Sequence, residues 1–404
     1  MALAEILVVV ICSLVFAVFV AGICRLMLLG NGPQGRDLVS YWAAGQQLVH
    51  HQNPYDSDAI QRIESAVGFP ANSLVLIMRN PPSAVLLALP LGFVGLRTAA
   101  LLWSLLLLSC LIVSVRMLWV MYGSPKNRLD LLGYSFGPAL ICLNGGQTAL
   151  FSLLGVVLFL RFHRSHQFLA GVTLWLCALK PHLFLPFAAV LLVWIVFTRS
   201  YPVLVGAILA LGASSMVAFV LDPSVWAQYA QMMRNTGIES EFIPCLSIVL
   251  RLGLSPHAMR LQYVPAAVGC VWAIHYYWSR RDAWDWMEHG PLLLLFSIFV
   301  SPYAWLTDQV LAMPAVLQAA YRTNSRNVIG AVALISCVIE IQALCGTTMH
   351  SILIFWTAPA WLVWYFFAVR YVDAQPKFTS PSAAPALLPA DLPSPPSPRL
   401  TLPG

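Results

Sequence analysis

The chain has 404 residues, of which 59% are hydrophobic and only 9% charged, with a net charge of +6 spread over short segments between apolar runs. This composition excludes a water-soluble globular enzyme and a disordered protein, and the positive charge reports membrane orientation rather than nucleic-acid binding. The nine cysteines are scattered, mostly inside apolar runs and without a Cys-x-x-Cys pair, so neither a zinc site nor a disulfide framework is expected.

From Ile6 to Cys24 no residue is charged. That length crosses roughly 30 Å of hydrocarbon. Met1–Glu5 lacks a basic residue, which argues for a retained first span rather than a cleaved signal peptide. Apolar runs predict helices near 6–29, 98–120, 131–143, 147–160, 168–179, 183–198, 202–221, 261–279, 291–303, 306–320, 328–345 and 351–369. The expected fold is an all-α polytopic membrane protein of about 12 spans, in a range of roughly 10 to 13. A cytoplasmic N-terminus puts Arg116, Lys126, Arg128, Arg161, Arg164, Arg199, Arg280, Arg281, Arg322, Arg326 and Arg370 on the cytoplasmic side, as the positive-inside rule requires. Two long segments, 30–97 and 222–260, then face outward. The apolar run 81–95 is short and contains Pro90, so it reads as a re-entrant or interfacial helix within the first of them. Residues 1–372 form one transmembrane domain, and the Pro- and Ser-rich 373–404 is expected to be a disordered cytoplasmic tail.

The most polar long stretch is "GRDLVSYWAAGQQLVHHQNPYD", Gly35–Asp56. Leu38, Tyr41, Trp42, Gly45, Leu48 and Val49 recur at helical spacing, which predicts one apolar stripe on a helix lying along the membrane surface. Asp37 precedes that stripe in the N-cap position, and Trp42 suits an interfacial anchor. A purely structural account of this stretch is therefore complete.

Other outer helix ends carry polar groups that a simple bundle does not require. Asn144 and Gln147 occupy "LNGGQT", Lys180 and His182 "ALKPHLFLP", and Tyr303 and Asp308 "SPYAWLTDQV". Each again has a plain account: Lys180 snorkels, His182 hydrogen-bonds at the interface, and Asp308 caps a helix. Together they gather an acid, a base and aromatics at one face of the membrane, where ionisable groups are functional by default. That set suits a phosphorylated lipid and a sugar. Arg234 and Arg251 in the second outer loop read as solvated loop charges, with Arg234 a further phosphate candidate.

These motifs, with "NPPSAVLLALPL" (80–91), occur in the order found in glycosyltransferase family 87, which the chain resembles from about residue 35 to 320. Two departures stand out: Gln52-Asn53 before the Pro-Tyr turn, and Asn80 before Pro-Pro. The resemblance implies a GT-C-type membrane hexosyltransferase that uses a polyprenyl-phosphate sugar, mannose first among the hexoses. The acceptor would be a lipid or glycan hydroxyl at the outer face of the cell membrane, and the transfer would invert. It implies Asp37 as catalytic residue. The chemistry adds Lys180 and Arg234 at the donor phosphate, and Tyr41, Trp42, Asn144, Gln147, His182, Tyr303 and Asp308 around sugar and acceptor. The donor carries its own leaving group, so no cofactor and no metal are expected, and membrane lipids surround the site.

Two rivals are weaker. "DSD" at 56–58 matches the D-x-D of nucleotide-sugar enzymes, but Asp58 with Gln61 reads equally as a capping box. A multi-spanning transporter or lipid flippase suits the span number, yet no repeat of the polar motifs relates the two halves of the sequence.

Overall fold

The structure, a computed structural model of the chain, describes Phe16 and residues 36–69, 75–235, 241–323 and 325–370. The expected span 6–29 (beyond Phe16) and the tail 373–404 lie outside the described residues. Every regular element among the described residues is helical.

The first long polar segment holds α1 (Arg36–Val49), α2 (Ser57–Ala66) and α3 (Val85–Gly92). Next come α4 (Leu96–Met121), the single turn α5 (Leu131–Tyr134), α6 (Gly137–Gly145), α7 (Ala149–Phe162) and α8 (Gln167–Thr173). Then follow α9 (Leu185–Thr198), α10 (Tyr201–Leu221), α11 (Val225–Asn235), α12 (Leu246–Leu254) and α13 (Val264–Trp278). The chain continues through α14 (Trp286–Phe299), α15 (Met313–Arg322), α16 (Arg326–Leu344) and α17 (Thr357–Arg370). Pro138, Pro186, Pro202, Pro265 and Pro314 each stand in the first turn of a helix, where the missing N–H would have had no intrahelical partner.

Among the described residues five helical stretches are long and apolar enough to cross a membrane: Leu96–Met121, Pro181–Thr198, Tyr201–Leu221, Arg326–Leu344 and Ile352–Val369. On α4, Ala99, Trp103, Leu107, Leu111, Val115 and Leu118 are buried, while Leu101, Leu105, Ile112 and Val120 on other faces are exposed. A helix apolar on all sides with one side bare is what a lipid-facing position requires. Several expected helices prove to be broken. The 131–143 run divides at Ser135-Phe136 into α5 and α6, and 168–179 is regular only to Thr173 before a 3-10 turn at Cys177–Leu179. The 306–320 run opens as a 3-10 turn over Leu306–Ala312. The second outer segment contains α11 and α12, which its sequence did not announce.

The surface-helix expectation for Gly35–Val49 fails. Leu38, Val39, Tyr41, Ala43, Ala44, Gln47 and Leu48 are all buried, so α1 is enclosed on nearly every side rather than lying along an interface. The cause on the stripe face is a pair of glycines, Gly45 in the middle of the stripe and Gly92 on α3. They let α3 cross so closely that a Cβ on Gly45 would lie 2.2 Å from the Ala88 carbonyl oxygen, and one on Gly92 2.2 Å from that of Gly45. Gln46 Nε2 donates to the Gly92 carbonyl at 2.7 Å, and Trp42 Nε1 to that of Val94 at 2.9 Å. Trp42 is thus an internal tie between α1 and the end of α3, not an interfacial anchor. Asp37 is the second residue of α1, inside its first turn rather than at the expected cap position. On α2 the cap is Asp56, which accepts from the N–H groups of Asp58 and Ala59, so the capping box at Asp58 is not formed.

The helices have two distinct ends. At one end lie the N-terminus of α1, the α6–α7 hairpin, Lys180 and the segment 301–308. At the other, Arg164 pairs with Asp285 at 2.9 Å and Arg322 with Glu288. Replacing Gly45 by Ala should destabilise the protein by about 1–3 kcal/mol, since backbone atoms block the new methyl. Gly212→Ala, with nothing within 4 Å, should be neutral or slightly stabilising. Thermal unfolding of both variants in detergent checks this contrast.

Candidate active site

The α6–α7 hairpin is shaped by Gly146, whose φ of 72° lies in the left-handed region that closes α6. A Cβ there would also sit 3.0 Å from that of Leu38, so glycine lets the hairpin rest against the start of α1. Trp103 Nε1 donates to the Gly146 carbonyl at 2.8 Å. The Tyr41 ring lies 5.2 Å from that of Trp103, and its hydroxyl is 3.4 Å from Thr148 Oγ1. These contacts bring Asp37 to the hairpin: a Cβ on Gly145 would lie 3.6 Å from Asp37 Oδ2 and 3.6 Å from the Gln147 side chain.

Lys180 separates two 3-10 turns, Cys177–Leu179 and Pro181–Phe184, in a non-helical conformation with φ −138° and ψ 66°. Asn80 fixes this junction. Its Nδ2 donates to the Leu179 carbonyl at 2.9 Å, and its own carbonyl accepts from the Tyr55 hydroxyl at 3.1 Å. The Lys180 ammonium donates to Gln147 Oε1 at 2.9 Å and to Asp308 Oδ1 at 2.6 Å. Asp308 is 0% exposed, and its Oδ2 accepts from the Trp305 N–H at 2.9 Å. Beside this group the His182 and Tyr303 rings stack at 3.8 Å, both half-buried. Ser301 Oγ holds them together through the carbonyls of His182 (3.1 Å) and Tyr303 (2.8 Å).

Burial pushes the Tyr41 hydroxyl up to about 12, with Lys180 opposing and Asp37 reinforcing the rise; burial takes Tyr303 to about 12 as well. Both phenols stay neutral near pH 7. Burial opposes the Lys180 charge, but Asp308, Tyr41 and Cys142 outweigh it and the ammonium is held above the ordinary lysine range.

Asp37, Tyr41, Gln147, Lys180, His182, Tyr303 and Asp308 therefore come together. Asn144 does not join them: it is exposed in the last turn of α6. Arg234 is exposed at the end of α11, as a solvated charge should be, whereas Arg251 is only 2% exposed and corrects that expectation. Trp42 serves the α1–α3 crossing. Asp308 is neither a simple cap nor open to a sugar: it reaches back to Trp305 and forward to Lys180. Sequence reasoning missed Tyr55 and the bridging role of Asn80. The only signal was Asn80 itself, an amide where an aromatic was expected.

A family model described as glycosyltransferase family 87 matches residues 79–302, more than half of the chain. The chain belongs to glycosyltransferase family 87. No curated protein and no solved structure matches it. A family 87 protein built of membrane helices is a membrane glycosyltransferase, moving sugar from a donor to an acceptor. The matched segment contains Asn80, Gln147, Lys180, His182 and Ser301, while Asp37, Tyr41, Tyr303 and Asp308 fall just outside it.

Asn80→Leu keeps the volume but removes the donor to Leu179. It should lower stability by about 1–3 kcal/mol. Loosening the Lys180 junction should also lower turnover roughly 10- to 100-fold. Asn80→Leu turnover measured at a temperature where the variant is fully folded checks the second effect apart from the first.

Proposed function

We propose that this glycosyltransferase moves a hexose, mannose first, from a polyprenyl-phosphate sugar to a lipid or glycan hydroxyl at the outer face of the cytoplasmic membrane, with inversion. The observation that carries the reading is the meeting of Asp37, Gln147, Lys180 and Asp308, from four separate segments, at the end of the bundle opposite the Arg164 and Arg322 ion pairs. With the basic ends cytoplasmic, this end faces outward. About 12 spans, with both termini inside, belong to the same proposal.

Asp37 acts as general base. It takes the acceptor's hydroxyl proton as that oxygen attacks the anomeric carbon, and the bond from that carbon to the phosphate oxygen breaks. Polyprenyl phosphate leaves with the bonding electrons, so no acid is needed to protonate it. Lys180 gives two of its three protons to Gln147 and Asp308, and the third serves a phosphate oxygen. Its charge is already matched by Asp308, so the site suits a donor phosphate of single charge better than a pyrophosphate. The stacked His182 and Tyr303 offer a surface to the sugar.

Purified protein given polyprenyl-phosphate mannose and a lipid extract from its source cell should add a hexose to a lipid or glycan, read by mass spectrometry. No product from that donor while another lipid-linked hexose is consumed would remove mannose. Asp37→Asn should lower turnover by about 10²–10⁴. Its stability should fall by less than about 1 kcal/mol, the value of a first-turn carboxylate. Near-wild-type turnover would remove Asp37 as the base. In intact cells with the native cysteines replaced, Gln52→Cys should be labelled by an impermeant thiol reagent and Asn127→Cys should not. The reverse pattern would put the site on the cytoplasmic side.

A further inference from the structure

The structure points to a role for Asp308 that is neither base nor sugar contact: we propose that it is a positioning residue, acting through Lys180 by holding the ammonium against Gln147 for an anionic group of the substrate. This rests on the proposed reaction for the identity of that group, a donor phosphate.

Three observations carry it. Asp308 has no exposed surface, so no substrate atom reaches its carboxylate. Both of its oxygens are engaged, Oδ1 by Lys180 Nζ at 2.6 Å and Oδ2 by the Trp305 N–H at 2.9 Å. The second bond anchors the acid to the backbone of the same segment that supplies Tyr303. Lys180, by contrast, keeps 11% of its side chain exposed and has committed two of its three protons. The arrangement runs from Trp305 through Asp308 and Lys180 to Gln147, and from Gln147 to the Gly145 backbone beside Asp37. One long, flexible side chain is thereby fixed between the segment that carries the stacked rings and the hairpin that borders the base.

The charged and titratable groups facing Lys180 are Asp308 from the 306–312 turn, Tyr41 from α1, Cys142 from α6, His182 from the following 3-10 turn and Tyr303 from the segment before Asp308. Asp308 is the largest influence favouring the ammonium, against burial. The sign follows. With Asp308 present the ammonium persists to high pH; without it, burial draws the pKa down and the charge is lost at lower pH.

The chain has three lysines, Lys126, Lys180 and Lys377, so Lys126→Arg with Lys377→Arg leaves Lys180 alone. Reductive methylation with formaldehyde, followed by mass spectrometry across pH 7 to about 10, then reads the Lys180 amine without any donor. In that background the wild-type site should resist methylation throughout, and Asp308→Asn should be methylated at least ~10-fold faster at pH 9. In the transferase assay, Asp308→Asn should raise the donor KM about tenfold or more with a smaller change in kcat, and its alkaline limb should move to lower pH. Unchanged methylation together with an unchanged alkaline limb would overturn the proposal. So would loss of kcat at every pH with donor KM intact, which would make Asp308 a participant in the chemical step. If Asp308→Asn yields no folded protein, the single-lysine protein decides alone: methylation of Lys180 at the rate of an exposed lysine near pH 9 would overturn it. Altered methylation in a protein that uses no polyprenyl-phosphate donor would support the positioning role and overturn the donor reading instead.

Discussion

The arrangement at the site end of the bundle depends on one ion pair. Lys180 and Asp308 are 128 residues apart and meet at 2.6 Å with side chains 11% and 1% exposed. Removing two such charges from water is expensive, and leaving one of them there alone typically costs about 3–5 kcal/mol. Neither partner can therefore leave without the other, and the segments that carry them are held together: the Cys177–Phe184 junction, the 301–308 stretch and, through Gln147, the α6–α7 hairpin. A pair of this kind is a poor source of net stability, because a well-packed apolar pair would do as well. Its retention in a protein where 9% of residues are charged is better explained by what it positions.

Glycine does the complementary work. Gly45 and Gly92 let α1 and α3 touch backbone to backbone, and Gly171 and Gly206 do the same for α8 and α10, where added Cβ atoms would lie 1.9 and 2.1 Å from carbonyl oxygens. In a hydrocarbon environment such contacts are a main way for helices to gain dispersion energy from one another. Gly146, set against the Leu38 backbone, does the same for the first turn of α1 and the hairpin, and so sets Asp37 beside Gly145. The acid reaches the site through close backbone packing, the lysine through charge. These two routes are independent, so a change in one need not disturb the other.

The membrane class, most helix positions and most of the motif residues were legible in the sequence, because apolar run length and polar interruptions are local signals. What failed was what depends on distant partners. The periodicity of Leu38, Tyr41, Trp42 and Leu48 correctly found an apolar face, but Val39, Ala43 and Ala44 on other faces are buried as well, which one stripe does not announce. Asp37 looked like a cap because caps and first-turn acids have the same composition; only the point where the helix starts separates them. Asp308 looked like a cap for the same reason, and its Trp305 contact is indeed of that type, but nothing local predicts that its other oxygen takes Lys180. Arg251 looked solvated because it sits in a long polar segment, yet that segment forms α12 there and buries it. The chain breaks at Lys180 and ahead of Leu306 were legible from Pro181 and the Ser-Pro-Tyr turn, but the 3-10 turns Cys177–Leu179 and Leu306–Ala312 lie inside runs whose apolar composition alone reads as regular helix.

Charge flow in the proposed reaction gives the ion pair its meaning. Before transfer, the negative charges are Asp37 and a singly charged donor phosphodiester. After it, Asp37 has taken a proton and the leaving phosphate monoester carries the second charge. The total is unchanged, but one negative charge has moved from the Asp37 side of the hairpin to the phosphate. A cation fixed beforehand near the phosphate therefore gains more in the transition state than in the ground state, which is the condition for accelerating a reaction rather than merely binding its substrate. A mobile lysine would have to reorganise as the charge arrived. Held by Asp308 and Gln147, Lys180 does not, and the full burial of Asp308 keeps water from screening the interaction. The neutral pair thus avoids trapping the donor by excess positive charge while keeping a fixed dipole for the departing phosphate.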